Sequence, residues 1–230
     1  NGVRDENEPD GDLSWAAYLT LYSREMNANS KGEMLINLND AEDLAALYEQ
    51  MYAPLGDELA KFVLLYRQYG PSTPTGQRQS LGLSIFSMFS GGKMPKQATP
   101  QVVQGDLGNY EPDFKKIPFK TIRSIFDLVD TQVTIRSREK DKPSIMYASP
   151  LNDPGKRRDL LPKLFENATI FTENELPSRI NINTAPREVL GTLEELTVAD
   201  VDNILSLRPK YTNSEAPDPI FQTPAWLATE

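Results

Sequence analysis

A chain of 230 residues with 39% hydrophobic side chains has room for one large core or two modest ones, and it contains neither histidine nor cysteine. That removes imidazole bases, thiolate nucleophiles, Cys/His zinc sites and disulfides, and leaves carboxylates, lysine, tyrosine and hydroxyls for any chemistry. The formal charge of -9 and the sequence pI near 4.7 oppose phosphate backbones, so nucleic acid is a poor default partner, whereas cations such as calcium are attracted.

No apolar run approaches the roughly 18 to 20 residues that span a bilayer, and the first residues do not form a signal peptide. The start on Asn1-Gly2-Val3-Arg4, without a methionine, points to a longer protein whose missing part could hold a membrane anchor. Residues 4 to 12 concentrate acidic side chains around Pro9 and Gly11, which is turn chemistry. They read as a solvated loop; Asp5, Asn7, Asp10 and Asp12 are weak candidates for a non-standard calcium site, since their spacing does not fit the twelve-residue calcium loop. Asp12 is placed to cap a helix over Leu13 to Met26, which would bury Trp15, Leu19 and Tyr22 on one face.

One unit then occurs twice. In the first copy, Leu35-Ile36-Asn37-Leu38-Asn39-Asp40-Ala41 leads into Leu44 and Leu47. In the second, Arg179-Ile180-Asn181-Ile182-Asn183-Thr184-Ala185-Pro186 leads into Val189, Leu190 and Leu193. Each copy continues into a second apolar-periodic segment that ends in arginine, Leu59 to Arg67 and Val201 to Arg208.

In the first copy Asn39 or Asp40 is expected to cap a helix from about Ala41 to Tyr52, with Glu42 or Asp43 completing a capping box. Pro54 and Gly56 break the chain, and Asp57 restarts a helix whose Leu59, Phe62, Val63 and Tyr66 form a stripe ended by Gly70-Pro71. From Pro71 to about Pro118 the composition turns to Pro, Gly, Ser, Thr and Gln, interrupted by the apolar run Leu81 to Phe89, and reads as a long surface loop. Phe119 to Val129 has helical spacing, and Thr131 to Arg136 alternates as a strand does. A charged turn over Arg138 to Lys142 precedes Ser144 to Ala148. Asn152 to Gly155 follow as a turn, Leu160 to Phe165 as a short helix and Thr169 to Thr172 as a strand edge.

In the second copy Asn183 or Thr184 is expected to cap the helix, with Pro186 in its first turn and Val189, Leu190 and Leu193 facing inward. Thr197 or Asp200 opens the next helix, Ile204, Leu205 and Leu207 complete its face, and Pro209 stops it. The end, Phe221 to Leu227, reads as a capped turn that docks Trp226 and Leu227 on the body.

The chain offers little catalytic chemistry. Its carboxylate pairs, Glu194 with Glu195 and Asp127 with Asp130, are neighbours in sequence, which does not set two carboxyls across a cleft in unlike environments. There is no glycine-rich phosphate loop, nucleophile elbow or Walker lysine. Two short helices after an I-N-x-N run are similar to the helix-hairpin-helix unit, which in DNA-binding proteins offers hairpin N-H groups to phosphate. Here the hairpins, Tyr52 to Glu58 and Leu193 to Val198, carry acids where a phosphate would lie, and the second lacks glycine. A packing module is the expectation.

Arg179 to Leu190, the helix ending Leu207-Arg208-Pro209, the segment Phe221 to Leu227 and the acidic opening Asn1 to Asp12 together resemble type II secretion system protein K, the large minor pseudopilin family. Residues 1 to 70 and 119 to 230 carry the resemblance, and the I-N-x-N-T-A-P run is shared with DNA-uptake helix-hairpin-helix proteins. The resemblance implies an N-terminal membrane helix, a small pilin-like α/β portion and a helical domain inserted into it. It further implies a position at the pseudopilus tip among other minor pseudopilins, and calcium binding as in some members.

The expected fold is therefore α+β, mainly α, with two helix-hairpin-helix-like units plus a small β portion. Its segments are 1-70, a first helical unit; 71-118, a loop-rich insertion; 119-178, a mixed segment; and 179-230, the second repeat with a docking turn. The expected function is non-enzymatic, requiring no cofactor, with contacts to minor pseudopilins or other secretion-machine proteins at the periplasmic face of the inner membrane. The alternative is a DNA-binding protein of the DNA-uptake type. Ile36, Asn37, Asn39, Ile180, Asn181, Asn183, Thr184 and Pro186 are the residues that define the repeated motif.

Overall fold

Helices around an apolar core, with three small sheets against them, make the fold a mixed α+β arrangement. It is seen in a computed structural model that describes residues 18, 23–72, 102–137, 139, 142–208 and 218–229. The calcium candidates Asp5, Asn7, Asp10 and Asp12, the aromatic face of Trp15, Leu19 and Tyr22, and the apolar run Leu81 to Phe89 lie outside those residues.

The first helix, α1, spans Leu44–Leu55 and begins three residues later than the sequence suggests. Its cap is Asp43, whose carboxylate accepts the Ala45 and Ala46 N-H groups at 2.9 and 3.0 Å. Asn39 and Asp40 are not free for the task, because the Asn39 side chain is bonded to Ile122 and the Asp40 carboxylate accepts the Glu42 N-H at 2.9 Å. Asp43→Ala is expected to destabilise the fold by about 1 kcal/mol in thermal denaturation; an unchanged Tm would move the cap elsewhere. The helix runs through Pro54, which forfeits one bond in the last turn, and ends at Gly56 with φ 83°. That left-handed conformation suits glycine and makes a one-residue joint to α2, Asp57–Tyr69.

The α2 helix is not the expected one-sided stripe: every residue from Leu59 to Gln68 is buried. It is covered by α1, by the strand Gln132–Ile135 and by part of the expected surface loop from Pro71 to Pro118. Val102–Gln104 forms β3, Leu107 enters the core, and Gly108, Asp113 and Lys116 present carbonyls to Lys61 and Gln68. Lys61 is thereby satisfied in a nearly dry place, bonded also to Asp57 at 2.9 Å.

The largest sheet has the order β3-β5-β4, with β3 parallel to β5, Ser144–Ala148, and β4, Gln132–Ile135, antiparallel to it. Thus the alternating run at 131 to 136 is a strand, as its period indicates. The helix expected over Phe119 to Val129 is absent: the stretch is extended except for a 3-10 turn at Ile125–Leu128. Its N-H and C=O groups at Ile122 go to the Asn39 side chain, and the Phe119 and Lys120 N-H groups go to the Arg67 carbonyl, so tertiary partners replace helical ones. The next helix, α3, spans Pro154–Asn167 and absorbs both the expected turn at 152 to 155 and the short helix at 160 to 165, with Asp153 as its cap.

Two further pairings tie distant parts together. The last residues of the helix expected over 13 to 26 are instead a strand, β1, Arg24–Met26, antiparallel to β7, Glu175–Pro177. Ile36–Asn37, β2, pairs parallel with β6, Ala168–Thr169. The main core draws on Leu38, Met51, Phe62, Leu128, Leu161 and Trp226, from one end of the described chain to the other.

The last two helices are short: α4, Arg187–Leu190, and α5, Val198–Leu207. Thr197 opens α5 in a reciprocal capping box with Asp200, one of the two caps expected. Ala185, Leu190 and Val201 make a second, small core, but Leu193 and Leu207, expected inside, are exposed. With only one turn in α4 there is too little helix to cover them. Among the described residues no helix is long and apolar enough to cross a membrane.

Candidate interaction site: the repeated asparagine turns

The two asparagines of the repeated motif form similar turns in both copies. The first asparagine makes a turn on itself: the Asn37 side-chain oxygen accepts the Asn39 N-H at 2.9 Å, and that of Asn181 accepts the Asn183 N-H at 3.0 Å. The same turns close through the backbone, from the Asp40 N-H to the Asn37 carbonyl and from the Thr184 N-H to the Asn181 carbonyl. This is the local bond that asparagine offers in competition with regular structure.

The second asparagine reaches away from the turn. Asn39 donates to the Ile122 carbonyl and accepts the Ile122 N-H, both at 2.9 Å. Asn183 donates to the Phe221 carbonyl at 2.8 Å and accepts the Trp226 indole N-H at 2.7 Å. Each carboxamide thus fastens a remote segment to its own turn with a donor and an acceptor at once. Asn183 is accordingly not the helix cap; nor is Thr184. Helix α4 starts at Arg187 with Pro186 just outside it, and no side chain caps it.

An arginine near the end of each second helix closes the unit, two residues before the end of α2 in the first copy and just past α5 in the second. Arg67, 4% exposed, donates to the Asn39 and Asp40 carbonyls, and Arg208 donates to the Ala185 carbonyl at 2.7 Å. Burial lowers the Arg67 pKa, with Asp40 opposing that shift. Both arginines were visible as the shared ends of the repeat, and that regularity was the signal for their role. Ile36 is half-buried in β2, while Ile180 is 41% exposed and forms no strand, so the copies differ in how their lead-in is held.

The α1–α2 joint is the place where a helix-hairpin-helix unit would present N-H groups to phosphate. Here Asp57 and Glu58 occupy the first turn of α2, and their charge opposes an anion. Asp57 is bonded by the Tyr48 hydroxyl at 2.5 Å and by Lys61. Burial acts to raise its pKa, but the Lys61 and Tyr48 bonds outweigh it and leave the carboxyl below its usual value. The reciprocal bond to Asp57, with burial second, pushes Tyr48 up to about 12. Beside the joint a shallow groove of about 380 Å³ runs between α2 and α3, lined by Leu55, Leu59 and Leu160 with Glu58 and Lys156 bonded across it at 2.6 Å.

The other carboxylates have structural employment. Asp127 accepts the Arg123 and Ser124 N-H groups, and Asp130 pairs with Arg157, whereas Glu194 and Glu195 both lie exposed. No pair of carboxyls among these faces another across a cleft. Among the described residues no cluster of three or more acidic side chains is placed to hold a metal ion. The docking expected at the C-terminal end is met by Trp226, 1% exposed, with Ile220 beside it in the core; Leu227 is exposed instead.

What the constellation does chemically is to hold backbone: two carboxamides, two guanidinium groups and an indole are spent on carbonyls, N-H groups and one another. Comparison with protein-family models, with curated proteins and with solved structures finds no match to this chain.

Proposed function

We propose that the chain is a non-enzymatic assembly part of a secretion machine, a minor-pseudopilin-like protein of the type II kind. In this reading it works at the periplasmic face of the inner membrane through contacts with other minor pseudopilins. The observation that carries the proposal is the twice-used asparagine turn closed by an arginine. A unit whose polar side chains are consumed internally serves as a rigid block, and its function lies in the shape and surface of that block. The two units correspond to the helix-hairpin-helix-like repeats of the protein K family, with the phosphate-binding end replaced by Asp57 and Glu58 and by the Thr197–Asp200 capping box.

The test is reconstitution. The purified chain, mixed with minor-pseudopilin ectodomains of a type II system from the same organism, is expected to co-elute with them as a stoichiometric complex at micromolar concentration in size-exclusion chromatography with light scattering. Absence of any complex, together with DNA binding that weakens steeply with salt, would overturn the proposal in favour of a DNA-uptake role.

A further inference from the structure

The chain's acidity is not evenly spread. From Phe114 to Arg123 the sequence reads Phe-Lys-Lys-Ile-Pro-Phe-Lys-Thr-Ile-Arg, with Lys115, Lys116, Lys120 and Arg123 and no acidic residue, inside a chain of net charge -9. The same stretch carries the two most prominent apolar side chains among its neighbours, Ile117 at 83% exposure and Phe119 at 71%.

The exposure is built by the fold. The Gln68 side chain holds the Asp113 and Lys116 carbonyls at 2.7 and 3.0 Å. The Arg67 carbonyl takes the Phe119 and Lys120 N-H groups at 3.1 and 3.0 Å, and Asn39 grips both backbone groups of Ile122. An arch pinned at both feet leaves Ile117-Pro118 at its crest. The Lys116 ammonium lies 3.7 Å from the Tyr69 ring centroid, and Phe119 packs against Gly70, where φ is 72°. Phe114 extends the apolar area toward the exposed side of α1, its ring 5.7 Å from that of Tyr48, which in turn neighbours Tyr52. The acidic groups bonded to the run come from outside it: Asp113, whose carboxylate accepts the Lys115 N-H, and Asp127, whose carboxylate accepts the Arg123 N-H.

We propose that this arch docks on the surface of an anionic lipid bilayer, with Ile117 and Phe119 entering the headgroup-acyl boundary and Lys115, Lys116, Lys120 and Arg123 meeting the lipid phosphates. The geometry favours a lipid surface over a protein groove because the apolar groups protrude instead of lining a recess. They are flanked in sequence by Lys115, Lys116, Lys120 and Arg123, long cationic side chains of the kind that interfacial segments carry beside their apolar groups. Tyrosines beside such a crest suit the same boundary. Lys115, Lys116, Lys120 and Arg123 also supply the local positive charge that an otherwise acidic protein needs in order to approach a negative surface at all. The inference stands on the arch alone and does not rest on the secretion reading.

Co-sedimentation of the whole chain with vesicles tests it. Binding is expected to mixed phosphatidylglycerol and phosphatidylcholine vesicles at low salt, to weaken as salt is raised, and to be absent with phosphatidylcholine alone. The Ile117→Ser/Phe119→Ser variant is expected to bind at least about tenfold more weakly. Lys115→Gln/Lys120→Gln, which leaves the contact of Phe119 with Gly70 intact, is expected to lose roughly twentyfold; melting curves establish that both are folded. Equal binding by either folded variant, equal binding to neutral vesicles, or no binding to the anionic ones overturns the proposal, and the last result would assign the arch to an acidic protein partner.

Discussion

Trp226→Ala is expected to lower the unfolding free energy by about 4 kcal/mol, the largest effect foreseen for a single substitution in this chain. The indole is 1% exposed and sits in the main core with Leu161, Leu164 and Ile220, so its removal leaves a cavity that backbone fixed by neighbouring 3-10 turns cannot refill. Its N-H adds a bond to the Asn183 carboxamide. Asn183→Ala should cost about 2 kcal/mol, because it strands the indole N-H and the Phe221 carbonyl together. A helix cap at Asn183 would give a loss of similar size, so the single substitution does not separate the two mechanisms. A double-mutant cycle does: with Trp226→Phe as the second change, the bond predicts a coupling of about 1 kcal/mol in denaturant unfolding. Strict additivity would mean that the carboxamide and the indole do not share that bond in solution.

Arg67→Met is expected to destabilise by about 3 kcal/mol in the same assay. The guanidinium holds two carbonyls of the first asparagine turn, and methionine fills much of the volume while returning neither bond. Two effects oppose each other here. Stripping water from a guanidinium is costly, and its Nε has no partner in the protein; against that stand two charge-assisted bonds to the Asn39 and Asp40 carbonyls, which lose those partners when the arginine goes. The second effect should win because the carbonyls remain when the arginine is removed. A more stable Arg67→Met would show the opposite balance, as happens when well-packed apolar side chains replace buried ions.

What the sequence revealed and what it hid divide along the range of the interaction. The Thr197–Asp200 cap, the Gly56 joint and the strand at 132 to 135 were legible because each depends on residues within a few positions. The repeat was legible as well, since both copies keep the same spacing from isoleucine to the second asparagine and each has a closing arginine, 28 residues further on in the first copy and 25 in the second. Hidden was the purpose of that asparagine: it looks like a cap by composition, and only the positions of Ile122 and Phe221, 83 and 38 residues away, give it other work. The stretch at 119 to 129 misled for the same reason. Its apolar residues fall at helical intervals, yet Ile122 points inward with its backbone held by Asn39 while Phe119 points out, a division that no helix stripe makes. Likewise Arg24–Met26 has no local cause to be a strand; its partner at 175 to 177 decides it. The calcium candidates belong to the part of the chain outside the described residues, so that portion of the site remains a reading of composition.

The pairing of Ile36–Asn37 with Ala168–Thr169 also sets an order of events. Asn27 bonds to the Glu173 carbonyl across 146 positions, and parallel strands with such separations close late, after the entropy of a very long loop has been overcome. At ribosomal rates of ~5–20 residues per second, the first asparagine turn would wait roughly 7 to 26 seconds for its sheet neighbour to be made. During that interval α1 has α2 to pack on but lacks its later neighbour α3. The chain's topology therefore favours maturation after release over stepwise folding during synthesis.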